Sequence, residues 1–301
     1  MIPKLTIAMP LYNDAKYVQQ TIEAILSQSF KNFQLIIIDD CSTDDSVYIV
    51  SKLAHTDSRI SLFQNCSNLG NLRNFLKLIE YSNTEYFSWI GSHDLVDRSY
   101  YKILIDELEN DDSINYAYGR WVSVDEFGNE LSKSPILNLT SGQFSSDRIK
   151  NFFASIGKAR SNEIHFYGVY RSQILKGFNT RQTKAFVGWD HVVSSVAFYY
   201  GAVFIQKAEI SPRVFKNRTG SLHSRLVGTN SWRIRLQPTF ISLVKSYVIE
   251  YWNLPESAVR KIVGFPRLIM SVRNGYNVKL VRNIYWELRF LLRFIVGAVK
   301  F

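Results

Sequence analysis

An α/β fold with a mainly parallel sheet and helices on both faces is predicted by three features of this 301-residue chain. Apolar runs of strand length alternate four times with helix-period segments over short connections. Ile36-Ile37-Ile38 is an uninterrupted β-branched run, as a strand buried on both faces requires. That run stops at once in Asp39-Asp40-Cys41-Ser42-Thr43-Asp44-Asp45, at the strand end where open α/β sheets take their ligands. Acids at such an end can accept hydrogen bonds from ligand N–H or hydroxyl groups. They also suit the dipole of a helix N-terminus.

The elements follow in order. Leu5 to Met9 reads as the first strand and stops at Pro10-Leu11-Tyr12-Asn13. Asn13 or Asp14 can cap a helix whose apolar positions Val18, Ile22, Ile25 and Leu26 recur at helical spacing. Phe33 to Ile38 is the second strand, and Val47, Val50 and Leu53 give the next helix its buried stripe. Ile60 to Phe63 is the third strand, Asn71 to Tyr81 the third helix, and Tyr86 to Ile90 the fourth strand. That strand ends in Gly91-Ser92-His93-Asp94. Polar residues at several strand ends are expected to meet at one edge, where a ligand crevice would form.

The segments IAMPLYNDAKYVQQTIEAILSQSF, LIIIDDCSTDDS, NCSNLGNLRN and YFSWIGSHD resemble the successive signatures of glycosyltransferase family 2. The likeness is good from about residue 3 to 110 and looser to about 225. It implies a GT-A (Rossmann-like) fold, a nucleotide-sugar donor, inversion at the anomeric centre, and surface-polysaccharide work of a bacterial type. Pro10, Tyr12 and Asn13 match the loop against the donor's base and ribose. Asp40 matches the acid that reads the uracil edge, with Asp39 beside it. Arg73 corresponds to a base or phosphate contact at shorter spacing than the family's, and Gly70 reads as a helix-entry glycine.

The family's metal motif carries two or three acids, whereas Ser92-His93-Asp94 keeps only the last. Asp94 is expected to help hold Mg²⁺ or Mn²⁺ on the donor diphosphate, because a hard cation with oxygen ligands offsets the leaving group's charge. His93 is either a second ligand, which favours manganese, or a hydrogen-bonding loop residue. Asp97 reads as a helix cap. The resemblance also implies a general base before a helix at 192–198. Asp190 matches it, with Trp189 in place of the usual Glu and His191 able to orient it. A helix N-cap would equally favour aspartate there. Gly168-Val169-Tyr170-Arg171-Ser172 resembles the sugar-pocket segment. Val214 to Ser221 resembles a basic loop over the donor phosphates, with Arg218 or Lys216 neutralising charge. No motif is readable in the stretch of about 125–180 that would shape the sugar pocket.

Composition adds location. With 46% hydrophobic residues the chain can bury a full core, and it shows no repeat or low-complexity tract. Cys41 and Cys66, its only cysteines, lack metal or redox spacing and suit a reducing compartment. The chain enters a strand directly after Met1-Ile2-Pro3-Lys4, leaving no room for a signal peptide, so a cytoplasmic location is expected. The net charge of +10 is uneven: residues 211–301 hold sixteen Lys/Arg against three Asp/Glu, or +13, leaving −3 for the rest. Arg282, Arg289, Arg293 and Lys300 form one stripe on a terminal helix that is otherwise mostly apolar. Its charge-free run is far shorter than the ~20 residues a bilayer span needs. Such a helix suits an in-plane position on an anionic membrane, and it could equally pack on the catalytic domain or pair two copies as a homo-oligomer. No nucleic-acid module is evident.

The expected organisation is a catalytic domain over 1–225, with a nucleotide-binding half at 1–110 and an acceptor half at 111–225. A basic helical region follows at 226–301. The expected reaction moves a sugar, most readily from a UDP-sugar, to a hydroxyl of a glycan or lipid-linked acceptor at the inner membrane face. Two rivals are an inactive nucleotide-sugar-binding protein and a membrane-surface scaffold. Within the family, a metal-independent transferase using Arg218 and Lys216 is a third.

Overall fold

The computed structural model describes residues 2–133, 166–176 and 189–213. The expectations for Lys216, Arg218, the region 226–301 and most of the sugar-pocket stretch fall outside these residues.

The elements run β1 (Leu5–Leu11), α1 (Val18–Leu26), β2 (Phe33–Asp39), α2 (Ser46–Thr56), β3 (Ile60–Gln64), α3 (Asn71–Glu80) and β4 (Tyr86–Trp89). There follow β5 (Leu95–Val96), α4 (Tyr100–Asn110), β6 (Tyr116–Val124), β7 (Glu130–Lys133) and β8 (Val169–Arg171). The last are α5 (Gln173–Lys176), α6 (Trp189–Tyr200) and β9 (Ala202–Ser211). Among the described residues these strands form one sheet ordered β3-β2-β1-β4-β8-β6-β9-β5, with β7 paired to β6. β1 is parallel to β2 and β4, β2 to β3, and β6 to β9, while β8 is antiparallel to both β4 and β6. Six strands therefore point the same way, and their carboxyl ends share one edge.

Strand alternation explains the two-sided core. Leu5, Ile7, Met9, Leu35 and Ile37 turn to one face and meet Val18, Ile22 and Val50 of α1 and α2 and Tyr101, Leu104 and Leu108 of α4. Ala8, Ile36, Ile38, Phe87 and Trp89 turn to the other and meet Leu72, Phe75 and Leu76 of α3 and Val193, Ala197 and Phe198 of α6. With both faces covered, no polar alternation is needed, which is why Ile36 to Ile38 reads as continuous apolar sequence. The second half packs through aromatic rings, with Tyr116 stacked on Tyr170 at 4.2 Å and on Tyr118 at 5.4 Å. Burial first, and neighbouring tyrosines after it, push the Tyr116 hydroxyl well above its ordinary titration range.

β1 lies between β2 and β4, yet the chain runs β1, β2, β3 outward before crossing back to β4. The order reverses between β1 and β4, and such a reversal opens a crevice beyond the carboxyl ends of the two strands.

Candidate active site

The loops after β1, β2 and β4 meet at that crevice. The β1 and β2 loops are tied together. Asn13 adopts φ +50°, its Oδ1 accepts the Thr43 amide at 2.8 Å, and its own amide donates to Ser42 Oγ at 2.9 Å. The Asp14 amide donates to Ser46 Oγ at 2.9 Å and the Ala15 amide to Asp44 at 3.0 Å. Tyr12 stands half-exposed on this rim, and Pro10 sits inside β1 opposite Ile38.

At the end of β2 the two acids have different work. Asp39 accepts the Ser42 amide and hydroxyl, which closes the turn after the strand. Asp40 is buried and gathers the next loop: Oδ1 accepts Asn65 Nδ2 and the Leu69 amide, and Oδ2 accepts the Gly70 amide, each at 2.8 Å. Asn65 in turn bonds Asn74 and accepts from Lys77, while Asn74 donates to the Ile38 carbonyl. A polar network thus locks the Asp40 carboxylate between β2 and α3. Gly70, at φ +84°, is the residue from which α3 starts, and Arg73 is exposed on its first turn.

The end of β4 is the most crowded point. Asp94 is buried; its Oδ2 accepts the Gly91 amide at 3.2 Å and its Oδ1 the Arg213 amide at 3.0 Å. His93 is partly buried between two carboxylates, with Nδ1 2.8 Å from Asp14 Oδ2 and Nε2 3.8 Å from Asp94 Oδ1. Ser92 Oγ donates to the same Asp14 oxygen. The buried Arg213 guanidinium donates to the His93 carbonyl at 3.0 Å and to Gln20, and lies 4.8 Å above the Tyr17 ring. Among the described residues no group of three or more His, Cys, Asp or Glu side chains is arranged to hold a metal ion by itself.

Asp39, Asp40, Asn13, Tyr12, His93 and Asp94 thus lie on loops of one edge. Asp190 is the second residue of α6, and its side chain lies outside the described part. Arg171 is elsewhere: it pairs with Tyr86 at the start of β4, at the opposite edge, and its guanidinium donates to the carbonyls of Ile114 and Leu108. Val169 and Tyr170 beside it are core residues. Asp97 accepts the Ser99 amide and hydroxyl just before α4. Helix α1 has no side-chain cap; the Asp14 carbonyl accepts the Tyr17 and Val18 amides, while its carboxylate faces the β4 loop.

Sequence reading missed Asp14, Gln20 and Arg213 as site residues. Asp14 obeys the same strand-end rule that marked Asp39 and Asp40, and Arg213 is the first cation after β9. Their contacts span 79 and 120 residues, which no local pattern encodes.

The fold and crevice define a mainly parallel α/β protein with a polar crevice at its sheet switch point. The family described as Glycosyl transferase family 2 matches residues 6–178, and the chain belongs to it. The glycosyltransferase GlyG of Streptococcus pneumoniae is 27% identical over 179 residues, covering 54% of this chain and 59% of that protein. The chain therefore spans about three fifths of that relative's length. The crystal structure of S. aureus TarS 1-349 in complex with UDP superposes with a TM-score of 0.64 at 15% identity, over 93% of this chain and 74% of that one. The mannosyltransferase PcManGT of Pyrobaculum calidifontis, in complex with GDP-Man and Mn²⁺, gives 0.54 at 13% identity, over 99% and 81%. These likenesses establish the GT-A fold. The matched family segment contains Asp39, Asp40, His93 and Asp94; Asp190 and Arg218 lie beyond it.

Proposed function

We propose that this chain is an inverting glycosyltransferase that moves a sugar from a nucleotide-sugar, of the UDP-linked class, to an acceptor hydroxyl. The observation that carries this reading is the meeting of the β1, β2 and β4 loops at the switch point, with Asp40 locked at one end and the His93–Asp94 pair at the other. Family membership supplies the reaction class, and the UDP complex of TarS supports the choice of donor.

In the proposed reaction the acceptor oxygen attacks the anomeric carbon from the face opposite the diphosphate. The carbon–oxygen bond to the diphosphate breaks, and the nucleoside diphosphate leaves with its electron pair. Asp190 takes the acceptor's proton. A single displacement inverts the centre. Helix α6 joins the amino end of β9 through Gly201 and packs back across the sheet through Val193, Ala197 and Phe198. A helix that leads into the amino end of β9 runs back from the opposite edge, which supports Asp190, in its first turn, as the base.

The residues at β4 fit a divalent cation. An ionised carboxylate only accepts, so the proton between Asp14 and His93 sits on Nδ1, and in the neutral ring the lone pair is then on Nε2, 3.8 Å from Asp94 Oδ1. Asp94 and His93 would hold Mg²⁺ or Mn²⁺, with donor phosphates and water as further ligands, and the ion would neutralise charge growing on the leaving group. Arg213 adds fixed positive charge at the same loop, and Arg218 and Lys216 are proposed to add more. Tyr12, Asn13, Pro10 and Arg73 are assigned to the base, ribose and phosphate contacts. The acceptor is proposed to be a glycan or lipid-linked intermediate at the inner membrane face, reached through the basic region 226–301.

Calorimetry with UDP, GDP and dTDP, first with Mn²⁺ and then with EDTA, tests this. UDP should bind most tightly and only with the metal, Asp94→Ala should abolish that dependence, and Asp190→Asn should keep binding while losing turnover by 10²-fold or more, an order of magnitude typical of general-base removal. UDP binding that ignores EDTA would move the phosphate charge onto the arginines. Absence of binding for every nucleotide would sink the donor assignment.

A further inference from the structure

We infer that Asp14 is a positioning residue that sets the tautomer and aim of His93, replacing across space the carboxylate that Ser92-His93-Asp94 lacks in sequence. The inference rests on the proposed reading of His93 and Asp94 as the diphosphate end of the site.

Four observations converge on it. Asp14 is buried, although an isolated carboxylate would be costly there, and it is compensated by two donors from the β4 loop on one oxygen. These donors, Ser92 Oγ and His93 Nδ1, come from the two residues that stand before Asp94. The contact crosses the β1/β4 reversal itself, where the crevice opens. Capping of α1 falls to the Asp14 carbonyl, so the carboxylate is not used for it.

The chemistry follows from the ring. In its neutral form an imidazole that donates Nδ1–H to a carboxylate carries its lone pair on Nε2, and here Nε2 lies 3.8 Å from Asp94 Oδ1. A carboxylate behind a ligating histidine raises its basicity and fixes its rotation, and loss of such a partner typically weakens metal affinity about 10–100-fold. Ser92 gives Asp14 its second donor and holds it on the crevice side. A chain with one acid at β4 thereby recovers a second carboxylate near the same point, one that acts through His93.

The test uses the full chain labelled with ¹⁵N-histidine, with spectra recorded over a pH series and the tautomer read from the neutral form of the ring. His93 is picked out from the five histidines by His93→Gln. Two-bond ¹H–¹⁵N spectra should show its proton on Nδ1. Asp14→Ala should move that proton to Nε2 and weaken Mn²⁺ binding in the presence of UDP about 10–100-fold, read by the paramagnetic resonance of free Mn²⁺. Asp14→Asn, whose amide oxygen still accepts, should keep the tautomer, and it serves where Asp14→Ala does not fold. A wild-type proton on Nε2, or a tautomer indifferent to Asp14→Ala, overturns the inference. Mn²⁺ binding that is absent already in the wild type sinks the cation assignment instead, and the tautomer then decides the role of Asp14 alone.

Discussion

Asp40 shows how a side chain can be structural and still keep something for a ligand. A carboxylate has about four acceptor positions, and the amides of Leu69 and Gly70 with Asn65 occupy three, two on Oδ1 and one on Oδ2. One position on Oδ2 remains, which suits a single ligand N–H. Asp44 and Asp57 work differently. Burial pushes the Asp44 carboxyl up, but hydrogen bonds from Ser46 and from the Ala15 amide outweigh it and hold it below the usual range. The Arg59 guanidinium, in a two-point contact, holds Asp57 down likewise. Both folded values lie below the unfolded value of about 3.9. The stability they contribute is present above that value and is lost as pH falls through the folded ones. Thermal melts from neutrality into acid should show Tm falling below about pH 4, and Asp57→Asn should flatten that acid limb more than the exposed Asp44→Asn. A wild-type Tm unchanged through this range would refute the assignment.

Individual elements were legible wherever a local cause produces them. β2 and α3 follow from an apolar run and a helix-period stripe, and the structure ends each within a residue of the expected bound. The two-residue β5 and the strand β8, set antiparallel between β4 and β6, were not, because pairing partners far along the chain create them. β6 and β9 also hide a constraint. Their register shifts at Gly119–Arg120, and a Cβ on Gly119 would lie 2.3 Å from the Ala208 carbonyl oxygen and 2.8 Å from the Tyr100 ring. The carbonyl belongs to a strand and cannot swing aside as a flexible side chain would. Gly119→Ala should therefore cost about 1–3 kcal/mol, read as a Tm lowered by several degrees for a chain of this size. An unchanged melt would mean that the two strands separate there at no cost.

Taken whole, the molecule joins a long amino-terminal part whose sequence announces its architecture to a shorter carboxyl-terminal part, residues 211–301, whose sequence announces mainly its charge. The carboxyl-edge acids were readable because strands buried on both faces place charged residues at their ends, where ligands and water can reach them. Asp14 beside His93, and Arg213 beneath Asp94, were not, because they arise only when the sheet brings distant loops together. Among the described residues no helix is long and apolar enough to cross a membrane, so the proposed membrane contact rests on residues 211–301 and their +13. That charge makes a definite demand. A basic residue near an anionic leaflet contributes about 1 kcal/mol, and the contribution decays within a Debye length of about 8–10 Å at ordinary ionic strength. The full chain should co-sediment with vesicles rich in phosphatidylglycerol but not with neutral phosphatidylcholine, and the bound fraction should fall steeply as salt is raised. Paired replacement of Arg289 and Arg293 by glutamine should shift the salt midpoint downward while leaving UDP affinity unchanged. Equal binding to neutral vesicles would make the stretch 282–301 an apolar anchor instead, and no binding to either would refute the membrane contact.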